Sequence, residues 1–420
     1  MSAPARPRPV PRLFAGAAGA ALAVLTLVNL LNYLDRFVVS ALVESLRAEL
    51  SFSDAQQGLL MTGFILVYMV ASPVFGAFGD RRRRPRLIAA GVFLWSLATT
   101  LAGFARGFAS LFAARALVGV GEAAYGTISP SLLSDLFPRT ARGRVMAVFF
   151  AAIPVGAALG YVIGGLVDEK LGWRAAFFVA GGPGLLLAFA CLRLPDPPRG
   201  AMDEPEPAPP PPTSAVGQYL DLFRNRPYLM TVLGYAAYTF AVGGMAFWMP
   251  AFLERVRGVP KAQATVQFGA IVVATGFAGT FAGGWLGDWL LRRFEQAYLW
   301  VSGLAALLAT PLTFIVFKDP RPAVYLPAVI VAELLLFAST GPINSVIVNV
   351  VRPGQRATAV ALSIFAIHVL GDVPSPPIIG RISDARTLGQ AVLIVPFAVL
   401  LAGLFWAGEA WWAGRAGRRR

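Results

Sequence analysis

Two full charges, Asp35 and Arg36, sit in "NYLDRF" (32–37), near the middle of an apolar run that begins near Leu13. A second run carries Arg115 and Glu122. Each such charge costs about 2.5 to 3.5 kcal/mol at the centre of a membrane helix, so it is kept only where it pairs or faces a watery cavity. Arg115, Gly119, Glu122, Gly126 and Ser129 follow i, i+4, i+7, i+11, i+14 and share one helical face. Asn29, Asn32, Arg36 and Ser40 form a second stripe, with Asp35 about 100° away. The expected pairs are Asp35 with Arg115 and Arg36 with Glu122, or the crossed arrangement. Arginine suits bidentate recognition of phosphate or carboxylate. A carboxyl in a dry cavity holds a proton and releases it when a guanidinium approaches. The four residues therefore point to an anion site coupled to proton binding. The alternative is a permanent ion pair that only fixes helix packing.

Other polar residues fall in apolar runs. His368, Asp372 and Ser375 share a face at i, i+4, i+7 and are accompanied by Pro374, Pro376 and Pro377. Prolines loosen backbone polar groups, which is tolerated in a membrane only near protein or water. A gating or proton-relay role is one reading of this cluster, and of Glu333; a hydrogen bond to a neighbouring helix is the other. Tyr68, Tyr125, Tyr161, Tyr235, Tyr238, Phe240 and Trp248 are candidates to line an apolar part of a cavity, although most membrane aromatics pack or anchor at interfaces. Cys191 and His368 are the only residues of their types, so an intramolecular disulfide and Cys-based or multi-histidine metal sites are excluded. No Gly-x-x-x-x-Gly-Lys-Ser/Thr loop occurs, and no Gly-x-Ser-x-Gly elbow accompanies the lone histidine. No enzyme chemistry, cofactor or metal is expected.

The elements that position these residues are membrane helices. Of 420 residues, 57% are hydrophobic and 14% charged, against about 25% charged in soluble domains. A span needs about 20 mostly apolar residues. Twelve candidates occur: 14–45, 54–79, 86–105, 108–136, 141–168, 174–194, 226–255, 262–291, 297–317, 323–351, 355–384 and 388–412. The fold class is an all-α polytopic membrane protein. The first run follows Arg6, Arg8 and Arg12 but is too long for a signal-peptide core of about 7 to 15 residues. The net charge of +14 invites a nucleic-acid reading, but its distribution does not. Lys and Arg number 23 on the side of the termini and 11 on the other. That bias places both termini in the cytoplasm, and the tail "RAGRRR" needs only this or anionic headgroups. No nucleic-acid partner is expected.

Residues 195–225, with "PDPPRGAMDEPEPAPPPPTS", are Pro-rich and polar, the composition of a stiff extended linker. The chain divides into a tail (1–13), a six-helix bundle (14–194), the linker, a second six-helix bundle (226–412) and a basic tail (413–420). The halves echo each other. Gly76/Asp80, Gly164/Asp168, Gly284/Asp288 and Gly380/Asp384 repeat one spacing at the ends of spans 2, 5, 8 and 11, on alternating sides; a fifth pair, Gly217/Asp221, lies in the linker. This is the pattern of nested inverted repeats, which place a substrate near the midplane between the halves. Gly156, Gly160 and Gly164 overlap as small-xxx-small spacings, which let helices approach closely.

"GAFGDRRRRPRL" (76–87) resembles the cytoplasmic signature of the major facilitator superfamily. Gly76, Asp80, Arg81 and Arg84 match it, Arg83 and Pro85 depart from it, and "GWLGDWLLRR" (284–293) is similar to the weaker second copy. A narrower likeness, to the spinster lipid transporters, covers nearly all of both halves. It is carried by "NYLDRF", "RALVGVGEAAYGTISPSLLSDLF" (115–137), "AIPVGAALGYVIGG" (152–165), "RATAVALS" (356–363) and "HVLGDVPSPPIIGRISD" (368–384). "NYLDR" also resembles the anion:cation symporters. The resemblance implies two six-helix bundles with spans 1 and 4 lining a central cavity, alternating access, proton coupling, and an amphipathic substrate such as a lysophospholipid or sphingosine phosphate. On the residue reading above, Asp35, Arg36, Arg115, Glu122, Glu333, His368 and Asp372 are the candidate substrate and proton residues. Gly76, Asp80, Arg81, Arg84, Arg142 and Asp288 are read as a cytoplasmic gate, in which the acid at a helix end latches onto the basic loop of Arg139, Arg142 and Arg144; a solvated loop that serves orientation only is the alternative. The Gly-rich span 5 hints at antiport. Rival expectations are an organic-acid/proton symporter, a multidrug/proton antiporter, and a lipid sensor or scramblase. A monomer in a bacterial inner membrane is expected.

Overall fold

The structure, a computed structural model, describes residues 16–198, 201–202, 215–351 and 356–417. Span 1 is α1 (Gly16–Ala41), followed by a short helix α2 (Val43–Leu50). Spans 2 to 6 are α3 (Asp54–Arg81), α4 (Arg84–Ala102), α5 (Phe108–Leu136), α6 (Arg139–Leu171) and α7 (Trp173–Cys191). After α8 (Ala215–Arg224), spans 7 to 9 are α9 (Arg226–Arg255), α10 (Lys261–Leu291) and α11 (Ala297–Lys318). Span 10 is α12 (Pro322–Ala338) with α13 (Thr340–Asn349). Span 11 is α14 (Arg356–Ile367), a π-helical turn (His368–Asp372) and α15 (Ser375–Ala385). Span 12 is α17 (Ile394–Gly417), preceded by the single turn α16 (Leu388–Ala391).

Only closed hydrogen-bonding structures cross a bilayer, because lipid offers the backbone no partner. Eleven of these spans are long and apolar enough to cross one. The twelfth, α5, is long enough but carries Arg115 and Glu122 on its buried side. Two corrections to the expected elements concern ends. The run expected as span 1 is interrupted at Leu42, between α1 and α2; the C-cap of α2, Ser51, takes a left-handed conformation (φ 55°). The linker is not extended throughout. Its last part is α8, which buries Leu222. Asn225 then caps α9 at the Tyr228 amide and donates to the Val350 carbonyl (2.7 Å).

Glycines set how span 1 is held. A Cβ at Gly156 would lie 2.5 Å from the Leu30 carbonyl oxygen, and one at Gly160 would lie 2.6 Å from that of Leu34. Only hydrogen at these positions lets span 5 seat this closely on span 1, which fixes the stretch carrying Asp35 and Arg36.

Within the first half, span 1 packs on spans 5 and 6, and span 4 on spans 2 and 3; within the second, span 12 packs on spans 7 and 9. The halves meet along two seams, span 2 with span 11 and span 5 with span 8. We call the side carrying α2 the α2 face and the side of the chain ends the terminal face. Both seams are tight only toward the α2 face. There Gly58 leaves 2.5 Å between its missing Cβ and the Pro376 backbone, and Gly165 abuts Thr265. Toward the terminal face, Val70 and Val74 of span 2 and Trp285 of span 8 are exposed, and a Cβ at Gly284 would meet nothing within 4 Å.

Candidate functional site

Of the pairings left open by the sequence, one is present. Arg36 Nη2 donates to Glu122 Oε2 (2.6 Å), and Arg115 Nη1 lies 3.5 Å from Asp35 Oδ1. The two pairs differ. Asp35 and Arg115 are each 1% exposed, and Thr99 Oγ1 on span 3 also donates to Asp35 (2.8 Å). This pair ties spans 1, 3 and 4 together. The Arg36 side chain is 18% exposed while Glu122 is fully buried. Its guanidinium lies among Tyr33, Phe64 and Tyr68, with ring centroids 4.7, 4.9 and 5.4 Å away. The Arg115 guanidinium also lies 5.1 Å from the Phe64 ring, so one ring contacts both guanidinium groups.

Both pairs are incompletely satisfied. Arg36 Nε, Arg115 Nε and Nη2, Glu122 Oε1, Asn32 Nδ2 and Ser129 Oγ are buried without a partner. An arginine–carboxylate pair built only for rigidity is commonly bidentate, and an orphaned buried polar atom costs about 1–3 kcal/mol. Here one N–H of each guanidinium is used and others wait. Of the two, the Arg36–Glu122 pair is the one that solvent can reach, and a single hydrogen bond holds it, so a competing anion can displace it.

Beside this cluster lies an apolar cavity of about 600 Å3. Tyr33 and Phe37 of span 1 form one wall, and Pro154, Tyr161, Phe268 and Phe337 continue it across spans 5, 8 and 10. Rim residues Phe150, Phe277 and Phe281 are exposed, so the cavity reaches the bundle surface between spans 5 and 8. Glu333 is the one charged side chain lining it. Of the seven aromatics proposed for the cavity, Tyr161 lines it and Phe240 does not, and Tyr68 stands beside Arg36. Tyr238 lies behind the wall, 3.4 Å from the lining Thr340 hydroxyl. Tyr235 accepts from Asn344 (3.3 Å). Tyr125 and Trp248 are corrections. The Tyr125 hydroxyl donates to the Leu25 carbonyl (2.6 Å) and its ring packs on Trp95, inside the first bundle. The Trp248 indole donates to the Pro376 carbonyl (3.0 Å), inside the second. Their polar tips are satisfied by backbone rather than by a ligand.

His368 Nδ1 lies 2.9 Å from Asp372 Oδ1, and both side chains are about one-quarter exposed. They belong to the π-helical turn. The prolines that follow free backbone carbonyls. Pro377 has no N–H to return to the Val373 carbonyl, and Thr62 of span 2 donates to that oxygen across the seam.

The α2 face is closed by ions. Arg255 of span 7 donates to Glu44 of α2 (2.9 Å) and to Asp54 at the start of span 2 (3.0 Å). Lys261 of span 8 binds Asp168 of span 5 (2.8 Å). Asp384 of span 11 accepts from the Asp54 and Ala55 amides (2.8 and 2.9 Å), a carboxylate on a helix N-terminus. Glu44, Asp54, Arg255 and Lys261 carry no sequence signal; Asp168 and Asp384 belong to the repeated Gly-x-x-x-Asp spacing. Among described residues no cross-half ion pair lies at the terminal face. Arg84 differs from the latch expected of it. It is fully buried and pairs with Asp135 of the first bundle and with Asp196 at the start of the linker (2.9 Å to the latter). Asp288 accepts from Tyr298 (2.6 Å) in its own half, and Gly76 faces Thr127. The side chains of Asp80, Arg81 and Arg142 lie outside the described residues.

Comparison with known proteins places this arrangement. Residues 25–371 match the Major Facilitator Superfamily model. The chain is 36% identical to the zebrafish (Danio rerio) protein spinster homolog 3 over 406 residues, 89% of this chain and 81% of that one. It is 35% identical to the Mus musculus sphingosine-1-phosphate transporter SPNS2, over 90% of this chain and 74% of that one. Among solved structures, a bacterial homologue of the human lysosomal transporter spinster, inward-facing and unoccupied, superposes with a TM-score of 0.82 at 23% identity, covering 94% and 97% of the two chains. The chain belongs to the major facilitator superfamily and, within it, to the spinster transporters.

Proposed function

We propose that this protein is a proton-coupled secondary transporter that moves an amphipathic lipid anion or zwitterion, of the lysophospholipid or sphingosine-phosphate kind, by alternating access. The observation that carries the reading is the joining of two unlike surfaces. Arg36, with an unspent N–H, stacks on Tyr33, and Tyr33 is also a wall of the apolar cavity. A headgroup phosphate fits the first surface and an acyl chain the second. The cavity's size lies within the range of about 300–1,000 Å3 usual for small-molecule sites. A relative that transports sphingosine-1-phosphate supports the same substrate class.

In this reading the substrate anion draws Arg36 off Glu122. The carboxyl, left buried without its counter-charge, then takes a proton. Glu333 is a second proton site, facing the acyl chain. The terminal face is cytoplasmic, from the Lys/Arg bias, and the conformation with a tight α2 face and a loose terminal face is inward-facing. Asp35 and Arg115 position span 1; His368 and Asp372 act in gating. The test is uptake into proteoliposomes of a labelled lysophospholipid beside a labelled sugar acid. Saturable uptake of the lysolipid alone, reduced in Phe268→Trp, which narrows the cavity, is expected. Uptake of the sugar acid alone overturns the substrate class in favour of an organic-acid symporter.

A further inference from the structure

A second cavity, also about 600 Å3, lies on the outer flank of the second half at the terminal face. Leu290, Phe294, Trp300, Leu304, Leu308 and Trp411 line it, from spans 8, 9 and 12. It shares no residue with the transport cavity. Leu304, Leu308 and Trp411 are each about half exposed, so the groove faces what surrounds the bundle.

Its rim carries three cations against one acid, Glu295, which lies between the lining residues Phe294 and Gln296. Arg292 and Arg293 adjoin the lining residue Phe294, and Arg415 adjoins Gly414. All three are exposed, and among the described residues none has an ion-pair partner. Two are already aimed by aromatic rings. The Arg293 guanidinium lies 4.0 Å over Trp289, and that of Arg415 lies 4.0 Å over Trp411. Tryptophan concentrates where hydrocarbon meets headgroups, and Trp285, Trp289, Trp300, Trp411 and Trp412 all gather at this end. An apolar slot below an arginine rim at headgroup depth has the order of chemistry of a phospholipid: chain, then phosphate.

We propose that this groove holds one anionic phospholipid of the surrounding leaflet, its phosphate on Arg292, Arg293 and Arg415 and an acyl chain between spans 8, 9 and 12. Three arginines against Glu295 leave the rim net positive, so an anionic headgroup is bound in preference to a zwitterionic one. The site rests neither on the transport reading nor on the side of the cell that the terminal face occupies.

Native mass spectrometry of the purified full chain, given equal amounts of phosphatidylglycerol and phosphatidylcholine with identical chains, tests it. A single phosphatidylglycerol adduct, favoured at least about fivefold, is expected. The triple variant Arg292→Gln/Arg293→Gln/Arg415→Gln should bring the two lipids to parity. A charge-matched control, Arg86→Gln/Arg193→Gln/Arg224→Gln, removes exposed arginines elsewhere and should keep the preference. Ala305→Trp fills the groove, leaves the rim intact, and should reduce both adducts. Equal adducts in the wild type, equal loss of preference in the control, full binding in Ala305→Trp, or a dimer that excludes lipid would each overturn the proposal.

Discussion

Arg36 and Arg115 carry the same group, and burial separates what they do. Arg115 and Asp35 are sealed from solvent with Thr99 as a third partner. Breaking a buried pair by removing one member costs about 3–5 kcal/mol. Arg115→Met should therefore lower the thermal midpoint of the purified protein by several degrees. Arg36 is the accessible member and rests on three rings. Arg36→Lys keeps the charge but loses the flat fork, so lysolipid transport should fall at least tenfold while the midpoint moves little. Equal losses of stability in both variants would show that both pairs are structural. The pairing was legible in sequence because charges in lipid must meet, and helical spacing put them on facing stripes. The cavity wall was not. A phenylalanine facing lipid and one facing a cavity look alike, so Phe37, Phe150, Phe268 and Phe337 gave no signal. Tyr125 and Trp248 misled because a carbonyl of their own bundle satisfies each polar tip.

At the scale of elements, span 5 carries span 1 on glycine. Gly160→Leu would drive a side chain into the Leu34 carbonyl and the Phe37 Cβ (3.0 Å). It should reduce folded yield and displace the Asp35–Arg36 stretch, whereas Gly408→Leu, where nothing lies within 4 Å, should be silent; fluorescence size-exclusion profiles would compare them. The proline-broken span 11 depends on span 2 in turn. Thr62→Val keeps the shape and leaves the Val373 carbonyl without a donor, a loss of about 1–3 kcal/mol borne only where the two halves touch. The variant should shift toward opening at the α2 face, read as faster maleimide labelling of a cysteine placed at Ser383. The spans themselves were plain from hydropathy. The helix α8 was not, because the proline run before it dominates the composition of the linker. Nor was the role of Arg84: a base at a helix end has neighbours in both halves, and only the packed structure selects Asp135 and Asp196.

For the whole molecule, the four repeated Gly-x-x-x-Asp pairs divide by face. Asp168 and Asp384 hold the halves together at the α2 face, while Asp288 is held within its own half at the terminal face. The repeats are inverted, so the alternating access proposed above would exchange these roles. Closure of the terminal face would bring Asp80 to the start of span 11, as Asp384 now meets the start of span 2. It would bring Asp288 to the arginines at the start of span 5, as Asp168 now meets Lys261. Two substitutions should thus act in opposite directions. Arg255→Gln removes bonds present in this conformation and favours opening at the α2 face. Asp288→Asn removes a contact of the other conformation and favours the present one. Interspin distances across each face would report both, and a shift of the same sign for the two would break the symmetry argument.

Coupling is the centre of the account, and substrate-driven proton flux measures it most directly. Wild-type protein and Glu122→Gln would be placed in liposomes holding a trapped pH dye and given lysophospholipid without a pH gradient. The account predicts a proton movement evoked by lysolipid in the wild type and absent in Glu122→Gln. Lysolipid that crosses with no proton movement in the wild type, or an unchanged proton signal in Glu122→Gln, would contradict it.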